Sequence, residues 1–265
     1  MGMFRRYGYL GLALLLGCGE SGIIKSKQPQ ATAKQRLAAK YSANKAKLSG
    51  WPSRTDCDAT LWAGLARAGG VNLDITASKA KTGQWFRRPS KDCYSTGSSR
   101  SDFSNDMAVG VILSASVNDL KHWFSWVRRN DYRMGEGDPG AAVMKPNVLG
   151  VLGRRINANL APRLPYFPNK KDYVRHIQML MIFIDGKSTG HITESELKLL
   201  QRYDDGKDYL LSAIIARYTG KYDKVINLLL AEGSPPTYVR GDEPERYRLA
   251  HWLFAASIVL GVDDE

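Results

Sequence analysis

Histidine and cysteine are scarce in this chain, and their placement excludes more chemistry than any other feature. The four histidines, His122, His176, His191 and His251, are scattered and fall in no order with serine and aspartate that would make a hydrolytic triad. The three cysteines include no Cys-x-x-Cys pair, and no His-x-His spacing supplements them, so a zinc site lacks ligands. Phosphate loops and dinucleotide fingerprints are missing too. The glycine-rich stretch from Gly135 to Gly140 is not followed by the Lys-Ser or Lys-Thr that grips a phosphate. No cofactor and no metal is expected. Strand-like alternation is also rare, which argues against a sheet-based fold.

What the chain does have is positive charge and a short apolar run near its start. Lysine and arginine number 38 against 26 acids, a net charge of +12. Arg5 and Arg6 precede an apolar run from Leu10 to Gly17, which is too short to span a bilayer and has the layout of an export signal. Its last residues, Leu15, Leu16, Gly17 and Cys18, resemble the lipobox of bacterial lipoproteins. That resemblance implies a signal peptide over residues 1–17, lipid on Cys18 and a cell-envelope location, with the membrane reached through the lipid. The alternative, a free cysteine closing a buried helix, is opposed by Glu20 and Ser21, which end the apolar run at once. Gly19 in place of an aspartate is compatible with an outer membrane, where the cell has one.

Between Cys18 and Arg54 eight basic side chains meet Glu20 alone, whereas residues 55–265 hold 28 basic and 25 acidic groups. The charge therefore reads as a basic tether over residues 18–54, with a nearly balanced domain over residues 55–265. A basic stretch beside a lipid suits anionic lipid or an anionic cell-wall polymer better than nucleic acid, which is not an expected partner. The sequence does not specify an oligomeric state.

With Cys18 lipidated, Cys57 and Cys93 remain in a compartment where disulfides persist, and a bridge between them is expected. It would close a loop of roughly 37 residues and contribute about 3 to 4 kcal/mol in the chain-entropy model. The alternative is a pair of separately buried thiols. From Asp56 onward the dominant period is helical. Asp58 and Ser104 are placed to cap helices; Leu120, Trp123, Phe124 and Val127 share one helical face, as do Ile177, Leu180, Met181 and Ile184. Short connections at Ser116-Val117 and Thr219-Gly220-Lys221 predict antiparallel helical hairpins in an all-α domain.

Residues 104–130, with Ser104, Asn105, Asp106, Gly110, Asp119, Phe124, Trp126 and Asn130, resemble the first catalytic hairpin of family 8 glycoside hydrolases and related (α/α)-toroid proteins. The resemblance implies a toroid-like fold, here reduced or incomplete, and action on a glycan as a hydrolase or lyase. The family's acid falls on Asn105, and an amide cannot donate a proton to a glycosidic leaving group. Asp106, one residue on and about 100° around the helix, is the substitute. A helix-dipole role explains Asp106 equally well.

The segment before that helix interleaves Trp85, Phe86, Arg87, Arg88, Tyr94 and Arg100 with hydroxyls and Asp102. Rings stack on sugars and arginine forks bind carboxylate or sulfate, so Trp85, Arg87, Arg88, Tyr94 and Arg100 are the expected glycan-binding residues, with Asp106 and Asp102 as the acid and base candidates. Alternatively Trp85 and Phe86 are local core. Residues 185–196 match an EF-hand loop at Asp185, Gly190, Ile192 and Glu196, but Lys187 and Thr189 occupy ligand positions, and Thr193 with Glu196 makes a helix-capping box by itself. Two functions stay open: a glycan-binding or glycan-cleaving envelope protein, and a non-catalytic helical scaffold that docks partners.

Overall fold

The structure, a computed structural model, describes residues 31–91, 93, 103–135, 141–157, 163–231 and 244–263. Its first helix, α1 (Ala33–Lys47), starts at a reciprocal cap: the Thr32 hydroxyl accepts from the Gln35 amide at 3.2 Å, and the Gln35 side chain accepts from Thr32 N at 2.8 Å. Leu37, Leu48 and Trp51 are all buried, and the compact unit begins at Thr32. The tether expected over residues 18–54 is thus too long. Three apolar anchors hold its second half in the core, and Lys34, Arg36, Lys40, Lys45, Lys47 and Arg54 belong to the folded unit.

Next come α2 (Ala59–Ala68), a 3-10 turn at Ile75–Ser78, α3 (Asn105–Ser114), α4 (Val117–Arg129) and α5 (Pro146–Ile156). They are followed by α6 (Asp172–Thr189), α7 (Glu194–Tyr203), α8 (Tyr209–Thr219), α9 (Asp223–Leu230) and α10 (Pro244–Leu260). Only two isolated bridges, Lys79 to Trp85 and Arg133 to Val143, interrupt the helical pattern among the described residues, so the fold is all-α.

The centre is α2, apolar over most of its surface and buried between α3 and α10. Glycine sets these distances. A Cβ on Gly64 would lie 2.3 Å from the carbonyl oxygen of Gly110, and one on Gly110 would lie 2.7 Å from Leu61 Cα. Gly69 likewise abuts Phe254 N, at 2.7 Å from where its Cβ would stand. Because the obstruction is backbone, a side chain cannot rotate out of the way. Gly64→Ala is expected to cost about 3 kcal/mol, the upper end of ordinary overpacking. A denaturant melt with an unchanged midpoint would show that α2 and α3 can separate at no cost.

Expected helix starts were of two kinds. Thr193 caps as its sequence indicates, bonding reciprocally with Glu196 at 3.2 and 2.7 Å, whereas the helix that the periodicity opens at Asn118 begins at Val117 and is capped by Ser116, whose Oγ accepts from the Asp119 amide at 3.1 Å. Asp58 and Ser104 occupy N-cap positions without a side-chain cap bond. Their polar groups are used elsewhere, as described below. The hairpin reading also divides. α8 and α9, joined through left-handed Gly220, pack on one another. At Ala115 and Ser116, by contrast, the chain turns α4 away from α3 and onto α5, with Leu120, Trp123, Trp126 and Val127 facing inward.

The EF-hand reading of residues 185–196 fails on the same grounds of local geometry. α6 continues through Asp185 to Thr189, so no loop exists there, and Asp185 is buried in an ion pair with Arg154. Arg163 meets Glu196 at 3.0 Å and the Thr189 hydroxyl at 2.6 Å, which uses two more of the supposed ligands.

Candidate functional site

The Cys57–Cys93 disulfide, with Cα atoms 5.6 Å apart, ties the start of α2 to the segment before α3. Thr60 holds the same segment from the helix side: its hydroxyl lies 2.7 Å from both the Phe86 and Arg87 carbonyls, and its amide donates to Arg87 O at 2.8 Å. Arg87 then reaches back, donating to Cys57 O at 3.1 Å and to Asp58 Oδ1 at 3.0 Å. These bonds explain why Asp58 is no cap. Its carboxylate is turned to Arg87, while its amide donates to Asp56 Oδ1 at 2.6 Å.

Asp106 stands in the first turn of α3, and the Arg67 side chain at the far end of α2 donates to Ser114 O at the far end of α3, at 3.1 Å. The two helices therefore run in the same direction and bring Asp58 and Asp106 to one end of the domain. Half-burial of Asp58 raises its pKa, and the neighbouring Asp106 charge raises it further; Arg87 pulls the other way, and Asp56 adds a smaller upward push. Asp106 itself accepts a hydrogen bond from the Ser104 hydroxyl, which removes Ser104 from capping.

Asp106 lines a cleft of about 440 Å³ built from three elements. Ser104 and Asn105 join it from the start of α3, Lys145 and Asn147 from the start of α5, and Tyr173 and Gln178 from α6. Val148, Ile177 and Met181 supply an apolar floor. Asn105, where the resemblance places an acid, has a positional reason to be an amide. It donates through Nδ2 to Val143 O at 3.2 Å and accepts at Oδ1 from Lys145 N at 2.8 Å, which fixes the segment entering α5. A carboxylate could make only the second of these bonds. The segment on the other side of the Arg133–Val143 bridge starts from two left-handed residues, Asp131 at φ 49° and Tyr132 at φ 59°, so local backbone strain sits beside the segment that Asn105 holds.

The predicted binding residues separate in space. Trp85 is fully enclosed in the core, with the Lys79 ammonium 6.0 Å from its ring centre, and presents no face to a sugar. It is a core residue, because the disulfide-tied hairpin folds it inward. Arg87 is bound to Asp58 and Cys57, and Arg88 is half-buried outside the cleft lining. Cys18, Tyr94, Arg100 and Asp102 lie outside the described residues. The ring that does face solvent at the cleft is Tyr173, 58% exposed. It carried no sequence signal. Lys145 did have one, since Pro146 at the first helical position after an irregular stretch marks a helix start.

Among the described residues no group of three or more His, Cys, Asp or Glu side chains is placed to hold a metal ion, and no helix is long and apolar enough to cross a membrane. Comparison with protein-family models, with curated proteins and with solved structures finds no match.

Proposed function

We propose that this chain is a lipid-anchored cell-envelope protein whose helical domain binds or cleaves a glycan in the cleft at the starts of α3 and α5. The observation that carries this reading is Asp106 on the cleft wall, with Asp58, outside the lining, near enough that the Asp106 charge adds to burial in raising its pKa: a cleft carboxylate with a second carboxyl of raised proton affinity near it suits acid–base catalysis of glycoside or lyase chemistry. An apolar floor, an exposed tyrosine ring and the Asn147 and Gln178 amides suit a sugar, and Lys145 suits an anionic one. On this reading the helices form an incomplete (α/α)-toroid. The α8–α9 pair supports that arrangement, and the α3–α4 corner counts against it.

The test is a reducing-end and unsaturated-product assay on neutral and anionic polysaccharides and on peptidoglycan, with Asp106→Asn and Asp58→Asn alongside. Loss of turnover by about 100-fold or more, at an unchanged melting temperature, is expected for a general acid or base. A second reading, a non-catalytic scaffold, draws support from the enclosure of Trp85 and the commitment of Arg87 to Asp58. The exposed Val143, Phe167 and Tyr173 offer it apolar contacts. Absence of turnover on every substrate would favour that reading.

A further inference from the structure

A second cavity, of about 570 Å³, opens at the other end of α2 and α3 from Asp58 and Asp106. Four cations converge on it, each from the last turn of a different helix: Lys45 of α1, Arg67 of α2, Arg155 of α5 and Lys187 of α6. A cation in a last turn ordinarily answers helix-end carbonyls, and Arg67 does so on its neighbours, donating to Ser114 O at the end of α3 at 3.1 Å and to Leu73 O beyond α2 at 2.6 Å. That explanation does not cover the whole cluster. Among the described residues of the wall the carboxylate is Asp263, held by Arg217 at 2.7 Å, and Lys187, 3.9 Å from that carboxylate, donates to the Asp263 backbone carbonyl.

The cavity floor is kept open by Gly70. Its φ is +80°, and a Cβ there would lie 2.3 Å from the Tyr41 hydroxyl and 3.5 Å from Lys45 Nζ. Any side chain at this position would fill the space beneath the ammonium. Tyr41 is fixed in place by donating to Gly69 O at 2.9 Å.

We propose that this cavity binds a phosphate-bearing ligand. Phosphate oxygens accept hydrogen bonds from several directions at once, which matches cations arriving from separate helices, and an arginine fork such as Arg155 suits them. The volume admits an ester larger than the bare ion. Inorganic phosphate stands for a soluble phosphorylated ligand, and glycerophosphoglycerol for the headgroup of an anionic phospholipid. The site is independent of the Asp106 cleft, so its failure and that of the glycan reading are separate results.

Isothermal titration calorimetry of the full chain at low ionic strength, with each probe in turn, decides the matter. Saturable binding of at least one probe is expected, weakened about tenfold or more by Lys45→Gln and by Arg155→Gln, each of which removes a charge-assisted hydrogen bond. Lys198→Gln is the control for charge alone, because Lys198 is exposed on α7 and paired with Glu194. Tighter binding of phosphate supports a soluble ligand, and tighter binding of the diester supports a headgroup. No saturable heat from either probe overturns the proposal. So does an affinity that falls no further in Lys45→Gln and Arg155→Gln than in Lys198→Gln.

Discussion

Acid is expected to strip stability from this domain by way of two buried histidines. His176 and His251 are 3% and 0% exposed, their rings lie 5.7 Å apart, and the Tyr209 ring stands 5.1 Å from His251. Burial pushes the His251 pKa down to about 3, and burial followed by the His251 charge pushes His176 well below the ordinary histidine value. An unfolded chain takes up a proton at each ring near pH 6.5, whereas the folded chain does not. As pH falls below that point the unfolded state binds more protons, and stability drops by about 1.4 kcal/mol per pH unit for each histidine. For His251 the loss continues to about pH 3.

Two carboxyls work in the opposite sense. Asp208, which caps α8 through the Leu210 and Leu211 amides at 2.9 and 3.1 Å, is raised by burial to about 6, and Asp58 is raised as well. Such a group takes its proton earlier in the folded state, so acid favours the fold between its folded and unfolded pKa values and offsets part of the histidine effect. The contribution of His251 is isolated by difference. Denaturant melts of the wild-type chain and His251→Gln, taken from pH 7 down to pH 4, should converge or cross. The gap is expected to change by about 1.4 kcal/mol per pH unit in favour of the variant. A gap that stays constant with pH would mean that the folded chain protonates His251 as readily as the unfolded one.

Local chemistry made some of this molecule readable in advance. The Thr193 start depends on residues within three positions of each other, and the Cys57–Cys93 bridge is the pairing left once Cys18 is set aside. What escaped depends on distant partners. Asp58 has the composition of a cap, and Arg87, 29 residues later, redirects it. Trp85 next to arginines reads as a platform until the hairpin turns it inward. The domain's start was misplaced because α1 has few apolar residues, although Lys40 on it reaches the Leu229 and Leu230 carbonyls at 3.3 and 3.2 Å. The cleft shows the same limit. Asp106 is legible as a candidate from its own helix, while Lys145 and Tyr173 come from elements that only the tertiary fold brings beside it.

Arg154 and Asp185 form the contact whose loss should matter most to both proposed sites. They are 3% and 0% exposed and meet in a two-point bond, Nε to Oδ1 at 2.8 Å and the guanidinium NH2 to Oδ2 at 2.6 Å, with the Tyr166 hydroxyl donating to Oδ2 at 2.9 Å. Burial, then the Asp185 charge, raises the Tyr166 pKa, which keeps that donor protonated. Arg154→Met would leave a carboxylate stranded in the interior and is expected to cost about 3 to 5 kcal/mol. Removing both charges, as in Arg154→Met with Asp185→Leu, should cost far less than the two single changes added together, because the penalty lies in the orphaned charge and not in the lost attraction. Additive losses in a denaturant double-mutant cycle would contradict this. The pair joins α5 to α6, and these two helices supply Lys145 and Tyr173 to the cleft at one end and Arg155 and Lys187 to the cationic cavity at the other. The single variant should therefore weaken phosphate binding and glycan action together, while the apolar double variant, if it restores the packing of α5 on α6, should recover both.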